Sequence, residues 1–251
     1  MGQSIRVLSY NIHKGFHGLG FKRVLDGIRQ AIEQVHADLV FLQEVRGEDL
    51  SDGGTSQFEY LADRLWPHYA YGKNAVTTSG HHGNAVLSRF PISAWENVDV
   101  SKNPMESRGI LHAEIEIPGQ ETPVHLACLH LSLFEKARQA QLLSLCRQIR
   151  SRTETNQPLI VAGDFNDWRG TATPILARHL ELREAFLERT GTHARTFPSF
   201  FPWLKLDRLY YRSFRCVSAS EPGGSPWRSL SDHAPLLVEL ELIEPQAERA
   251  A

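Results

Sequence analysis

Cysteine is scarce. Cys128, Cys146 and Cys216 are the only three in 251 residues, and no two of them form a CxxC pair. That spacing excludes a disulfide framework and a thiolate metal site, and it makes a reducing cytoplasm the expected compartment. Cys128 and Cys146 stand in apolar context and read as inert core thiols. No apolar run approaches the ~18 residues that span a bilayer. No transmembrane segment is therefore expected, and peripheral contact with a membrane stays open. The start, Met1-Gly2-Gln3-Ser4-Ile5-Arg6, lacks the charged and apolar regions of a secretory signal. Arg6 also stands where a myristoylation motif takes Ser or Thr. Neither sign of charge is in excess: 27 Lys+Arg against 29 Asp+Glu give −2. The whole-chain basic footprint of a nucleic-acid binder is absent, although a local basic groove is not. GxSxG, Walker A, HExxH and GxGxxG motifs are all missing. Nucleophile-elbow hydrolases, P-loop enzymes, zincins and dinucleotide-binding folds lose their support. No internal repeat or low-complexity block is visible.

What is there is ordinary globular composition, 41% hydrophobic and 22% charged, in a chain long enough for a sizeable core. A single domain over 1–243 with a frayed polar tail at 244–251 is expected. Branched residues over Ile5–Ile12 predict a first strand. Phe21, Val24, Leu25, Ile28, Ile32 and Val35 recur at helical spacing and predict an amphipathic helix over 21–36. Ala37–Val45 reads as a buried strand that delivers Glu44 at its end. A polar, Gly-rich loop over 46–57 and a helix over Phe58–Trp66 follow. Further strands are predicted at Asn84–Ser88, 109–117, 123–131, Leu159–Ala162, Leu204–Tyr211 and Leu236–Leu242, with a helix over Phe134–Ser151. Strands outnumber helices and several lie at hairpin distance. The predicted class is α/β (α+β), two packed mixed sheets flanked by helices.

Polar residues stand at the ends of the apolar strands. Asn11 follows Val7-Leu8-Ser9-Tyr10, Glu44 follows Phe41-Leu42-Gln43, and His130 lies in Cys128-Leu129-His130-Leu131. Asp164 and Asn166 follow Leu159–Ala162, Asp207 lies in Leu206-Asp207-Arg208-Leu209, and Asp232-His233 precede Ala234-Pro235-Leu236. A carboxylate in an apolar run is costly unless it is paired or holds a metal. Glu44, Asp164 and Asp232 with the amides of Asn11 and Asn166 make an all-oxygen set, which suits Mg²⁺, Mn²⁺ or Ca²⁺ better than zinc. His130 and His233 add acid, base or phosphate-donor capacity, and Arg108 can clamp a phosphate. Plainer readings exist for each acid. Asp164 can build an Asx-turn, Asp207 can pair with Arg208 or Arg212, and Asp232 can cap a helix. Two histidines beside four acids are not explained by turns. The set reads as metal-assisted phosphoester hydrolysis.

These residues resemble the endonuclease/exonuclease/phosphatase superfamily of DNase I-like nucleases, exonuclease III-like repair enzymes, inositol polyphosphate 5-phosphatases and neutral sphingomyelinases. The matching segments are Ser9-Tyr10-Asn11-Ile12, Leu42-Gln43-Glu44, Gly83-Asn84-Ala85-Val86-Leu87-Ser88, Arg108-Gly109 and His130-Leu131. Gly163-Asp164-Phe165-Asn166, Leu206-Asp207-Arg208-Leu209 and Ser231-Asp232-His233-Ala234-Pro235 complete the series, in family order. The chain looks most similar to short stand-alone bacterial members, the YbhP-like group. The resemblance implies a DNase I-like four-layer sandwich and a Mg²⁺-dependent reaction. It implies that Glu44 is the principal metal carboxylate, with Asn11 beside it and Asp232 completing this metal site or a second one. It implies that Asp164 orients and deprotonates the attacking water, and that Asn166 holds water or a phosphate oxygen. His233 would contact the phosphate with Asp207 on its other nitrogen. His130 and Arg108 would bind phosphate, His130 also assisting the leaving group. No carboxylate partner of His130 can be assigned from the sequence.

The substrate is less legible. Thr196-Phe197-Pro198-Ser199-Phe200-Phe201-Pro202-Trp203 precedes the Asp207 strand. Its aromatics can stack on bases, enter a membrane interface or plug the sandwich edge. Phe197 fits the plug; Phe200 and Trp203 are the candidate substrate contacts. His13, Lys14 and His17 read as a basic rim or a solvated loop, and His81-His82 as an exposed loop pair. Three functions follow. The first is a nuclease acting on DNA or RNA. The second is a phosphodiesterase or phosphatase acting on a phospholipid headgroup or a small molecule. The third is a metal-binding interaction module without turnover. No obligate protein partner is expected.

Overall fold

Two six-stranded mixed sheets pack face to face with helices on their outer faces. The computed structural model describes residues 4–17, 22–49, 56–63, 65–77 and 80–243. The tail expected at 244–251 lies outside these residues. The first sheet holds β1 (Ser4–Asn11), β4 (Leu39–Asp49), β5 (His68–Thr77), β6 (Gly80–Ser88), β13 (Phe214–Ser220) and β14 (Leu236–Leu242). Its order is β13-β14-β1-β4-β6-β5. A separate ribbon pairs β2 (Phe16–His17) with β3 (Lys22–Arg23). The second sheet holds β7 (Ile92–Asp99), β8 (Gly109–Ile115), β9 (Val124–His130), β10 (Leu159–Asp164), β11 (Arg183–Glu184) and β12 (Asp207–Arg212). Its order is β11-β12-β10-β9-β8-β7. Each sheet has one parallel pair at its centre, β1 with β4 and β9 with β10. The helices are α1 (Leu25–Gln34), α2 (Gln57–Ala62), α3 (Glu135–Arg150), α4 (Ala172–Leu180) and α5 (Ala185–Thr190).

The pleat of each strand sorts its side chains between layers. Ile5, Val7, Leu39, Phe41, Leu126, Cys128, Ile160, Ala162 and Leu209 meet between the sheets. The alternate residues Leu8, Tyr10, Val40 and Leu42 pack outward against Ile28, Ala31 and Ile32 of α1. Ala127, Leu129 and Val161 pack against Leu142, Leu145, Cys146 and Ile149 of α3. Fully burying one such aliphatic side chain is worth ~1.5–3 kcal/mol, so apolar packing is the main hold of each face on its helix.

The inward rows become polar at one end of the sandwich. Asn11 continues Ile5, Val7 and Ser9; His130 continues Val124, Leu126 and Cys128; Asp164 continues Ile160 and Ala162. Asp207 pairs with Asp164 in register across the antiparallel β10–β12 ladder. The carboxyl ends of β1, β4, β9 and β10 therefore meet the amino ends of β6, β8, β12 and β14 along a single edge.

Several elements differ from the sequence expectation. The helix expected over 21–36 starts at Leu25, because Lys22–Arg23 are taken up by the ribbon. β4 runs on to Asp49, into the expected loop, and β6 begins at Gly80 rather than Asn84. His81-His82 thus lie in a strand. β5, β7 and β13 have no counterpart in the sequence reading. β7 is an edge strand whose residues are mostly exposed, so it carries no buried alternation to read.

Candidate active site

A bulge puts Glu44 on the edge. The β4–β6 register shifts between Leu42 and Val45, and Glu44 takes a left-handed φ of 55°. An extra residue in one strand bends it and re-aims a side chain. Asn166 also sits at positive φ, 49°, as do His13 at 45° and Lys14 at 59°. Such conformations are unfavourable for residues with a Cβ and gather at functional sites.

Asp164 is the centre of the cluster and is 1% exposed. Its Oδ1 accepts the Asn166 backbone N–H at 2.9 Å, an Asx-turn, so the plain reading of this residue holds for that oxygen. Its Oδ2 is turned the other way. Asn11 Nδ2 donates to it at 3.1 Å, His130 Nε2 lies at 3.4 Å and His233 Nε2 at 3.7 Å. Burial pushes the Asp164 carboxyl up, and the nearby charge of Asp207 adds to this. The Asn166 amide donates to the Leu131 carbonyl at 3.0 Å and ties the exit of β9 to that of β10. Asp167, the next acid, receives the Ala172 N–H at 2.7 Å and serves the start of α4.

Asp207 holds His233. Its Oδ2 lies 2.9 Å from His233 Nδ1, which leaves Nε2 facing Asp164. Neither alternative partner of Asp207 is realised. Arg208 donates to the Asp207 and Asp167 carbonyls, and Arg212 to the carbonyls of Gln157, Leu180 and Glu154. Burial alone would depress the His233 imidazole, but the charges of Asp207 and Asp164 outweigh it and hold the value well above normal. His130 behaves oppositely. Burial, with Arg108 nearby, pushes it down to about 3. The leaving-group proton expected of His130 is therefore not available on it at neutral pH. The protonated imidazole of this site is His233.

Glu44 faces the rim with 18% of its side chain exposed. Lys14 Nζ lies 3.4 Å from its Oε2, Asn11 Nδ2 3.5 Å and His130 Nδ1 3.9 Å from its Oε1. Burial opposes its ionisation, but the electrostatic influence of the neighbouring His130, Lys14 and His13 outweighs this and brings it down to about 2. An ionised carboxylate with only such long contacts retains lone pairs for a cation, and so it fits a hard divalent ion. Asn11 presents a different face from the one expected. Its Oδ1 accepts the His13 N–H at 3.1 Å, so its NH₂ points at Glu44 and Asp164. In this orientation its NH₂ braces the two carboxylates, and its oxygen keeps one lone pair. Asp232 caps no helix. Its Oδ2 lies 2.9 Å from His13 Nδ1. Ligand atoms of Asp164, Asp207 and His233 converge on this edge, within 4.8 Å of one another. The sequence reading grouped Glu44 with Asn11 and Asp232.

Arg108 lies at the start of β8 with its guanidinium 3.4 Å from Glu106. Glu106 also bonds the Ser132 hydroxyl and accepts the Leu133 N–H at 3.3 Å. Arg108 is thus anchored from the loop beyond His130, a support the sequence did not reveal. His82 is half-buried and feels Lys14, Glu44 and Arg108, so it too belongs to this edge. Phe197 packs on His233 with ring centroids 5.0 Å apart. Phe200 is 71% and Trp203 60% exposed, as expected, and Phe201 is 71% exposed. The sequence had not singled out Phe201.

Comparison with known proteins places this arrangement. The model of the endonuclease/exonuclease/phosphatase family matches residues 8–233, which includes every motif from Asn11 to His233. The chain is 46% identical to the uncharacterized protein YbhP of Escherichia coli K12, over 95% of this chain and 97% of the relative. Among solved structures it is similar to an endonuclease/exonuclease/phosphatase from Beutenbergia cavernae, with a TM-score of 0.76 at 20% identity over 96% of this chain and 72% of the other. It is also similar to the human Nocturnin catalytic domain with bound sulfate, with a TM-score of 0.74 at 20% identity over 95% and 93% of the two chains. The fold is the DNase I-like sandwich of these structures. The family model, the 46% relative and the ordered strand-end motifs agree: the chain belongs to the endonuclease/exonuclease/phosphatase family, whose members are metal-dependent phosphoesterases.

Proposed function

We propose that this chain is a divalent-cation-dependent phosphodiesterase in which Asp164 takes the proton of the attacking water. The observation that carries the proposal is the placement of the Asp164 Oδ2 among Asn11, His130 and His233. Glu44, with Asp232 at the rim, would hold a Mg²⁺ ion, which when bound would supply Lewis-acid polarisation of the phosphoryl oxygens. Asp164, raised by burial, is suited to accept a proton from water as the new oxygen–phosphorus bond forms and the opposite phosphorus–oxygen bond breaks. His233, kept cationic by Asp207, faces the charge that develops on the phosphoryl oxygens. It can return a proton to the departing oxygen. Arg108, anchored by Glu106, adds a fixed donor beside neutral His130.

Nucleic acid is the substrate to which the sequence reading points first, with Phe200 and Trp203 as stacking surfaces. A specific observation favours the phospholipid reading as well. Met105 is 83% exposed, Leu133 56% and Phe134 53%, and they join Phe200, Phe201 and Trp203 on loops that leave the catalytic edge. Met105 and Leu133 have no ring to stack on a base, whereas a bilayer interface accepts aliphatic and aromatic side chains alike. None of the helices among the described residues is long and apolar enough to cross a membrane. The deciding experiment is hydrolysis by purified protein, with Mg²⁺ or with EDTA, of single-stranded DNA, RNA and vesicles of phosphatidylglycerol. Cleavage of nucleic acid alone supports the first substrate, and turnover at vesicles alone the second. No hydrolysis of these or of any soluble diester would leave the interaction module standing and remove the enzyme reading.

A further inference from the structure

A second group of ligating side chains lies away from the catalytic edge. His112 and Glu114 are alternate residues of β8, and Glu114 pairs directly with His125 of β9. All three side chains therefore share the outer face of the second sheet. His125 is five residues before His130 on the same strand, about 17 Å along it, and its side chain points to the opposite face. The two clusters are separate sites.

The geometry is that of convergent donors. His112 Nε2 lies 3.2 Å from His125 Nδ1, and Glu114 Oε1 lies 3.7 Å from the same Nδ1. The three ligand atoms are all within 4.8 Å of one another. Two donors each about 2.0–2.1 Å from a tetrahedral ion stand roughly 3.3 Å apart, close to the nitrogen–nitrogen distance here. The rings are 5% and 2% exposed, and burial favours the neutral imidazole that ligates metal.

The second ring nitrogen of His125 settles which atom bears its hydrogen. Gln157 Oε1 accepts the Glu154 N–H at 2.9 Å, which orients that amide. The same oxygen lies 3.1 Å from His125 Nε2. An oxygen only accepts, so Nε2 carries the hydrogen and the neutral ring has its lone pair on Nδ1. That lone pair faces the Glu114 carboxylate. His112 Nε2, 3.2 Å from this Nδ1, donates its hydrogen to the same lone pair, and a bound cation would take the place of that hydrogen. A metal-bound histidine is commonly oriented in this way, with its other N–H held by a fixed acceptor. Arg152, the positive neighbour, is engaged by Glu96 and by the Gln148 carbonyl. Glu96 is the cross-strand partner of His112.

We propose that His112, Glu114 and His125 form a metal site for a borderline divalent ion of the zinc, cobalt or nickel class, with Gln157 positioning His125. Two imidazoles and one carboxylate suit such an ion better than Mg²⁺. The proposal stands apart from the phosphodiesterase reading, and its test needs no turnover.

The full-length chain, stripped with EDTA, is titrated with CoCl₂ and then with ZnCl₂. The background is the Glu44→Gln/Asp164→Asn double variant, which removes the charge of two catalytic carboxylates. The expected result is visible ligand-field absorption of four-coordinate cobalt at one equivalent, abolished by zinc and by His125→Ala. Glu114→Gln removes the charge at nearly constant volume and should weaken cobalt binding by about tenfold or more. If His125→Ala does not fold by circular dichroism, Glu114→Gln carries the test alone. Absence of the absorption in the double variant overturns the proposal. So does absorption that persists unchanged in the His125→Ala or Glu114→Gln protein.

Discussion

The Asp207 carboxylate lies 2.9 Å from Nδ1 of His233, and that bond turns the other imidazole nitrogen towards Asp164, 3.7 Å away. Asp207 is therefore a positioning residue. Its charge keeps His233 protonated, and its geometry fixes which nitrogen faces the reaction. Asp207→Asn retains the shape and removes the charge. It should lower kcat on a soluble diester by ~10²-fold or more and move the His233 titration to lower pH. Both are read directly, by initial rates and by NMR of the imidazole protons. A structural role alone would leave the titration in place.

Glu44 should govern the metal requirement. Its contacts are no shorter than 3.4 Å, so its substitution breaks little of the protein's own bonding. Glu44→Gln should raise the Mg²⁺ concentration for half-maximal rate by roughly tenfold or more, since a contact to a charged group is worth about 1.5–3 kcal/mol. EDTA should abolish turnover of the parent protein. An unchanged Mg²⁺ titration would remove Glu44 from the metal site.

Glu106 should contribute stability that depends on pH. Burial works to raise its carboxyl, but the Ser132 hydroxyl, the Leu133 N–H and Arg108 outweigh it, and the net shift is downward. A carboxyl depressed in the folded state stabilises fully above its unfolded pKa of ~4.3. The contribution is lost as pH falls through the folded value. Glu106→Gln should therefore unfold at lower urea than the parent at pH 7, and the gap should close as pH drops below 4. A gap independent of pH would show that the contribution is not ionic.

Gly163 should resist any side chain. Its φ is +148°, and a Cβ there would meet the Leu129 carbonyl oxygen at 1.9 Å. Relief would require β9 and β10 to part next to His130 and Asp164. Gly163→Ala should cost more than ~1 kcal/mol in urea unfolding and lower activity at the same time.

The strand-end residues were legible because the apolar runs stop at them. Leu159–Ala162 leads to Asp164, and Cys128-Leu129 to His130, so burial and polarity collide at a readable place. Period-2 geometry then carried Asn11, Asp164 and Asp207 to one edge without further information. The bulge at Glu44 has no signature of its own, because nothing local requires a left-handed φ at a glutamate. The His13–Asp232 pair and the Glu106 support of Arg108 join distant segments, and only the closed sandwich brings them together. Asn11 shows a subtler limit. The residue type does not say which way the amide turns, and it is the His13 N–H that sets this by bonding the oxygen. His112 and His125 passed unremarked because they lie inside strands that read as core.

The most direct measurement compares Mg²⁺-dependent hydrolysis of bis-p-nitrophenyl phosphate by the parent protein and by Asp164→Asn, both shown to be folded by thermal melting. The variant keeps a side chain of the same size and can still accept the Asn166 N–H. A drop in kcat of ~10²-fold or more, at a similar melting temperature, is the result this account predicts. Equal rates in the two proteins, or no hydrolysis by the parent with any divalent ion, would contradict it.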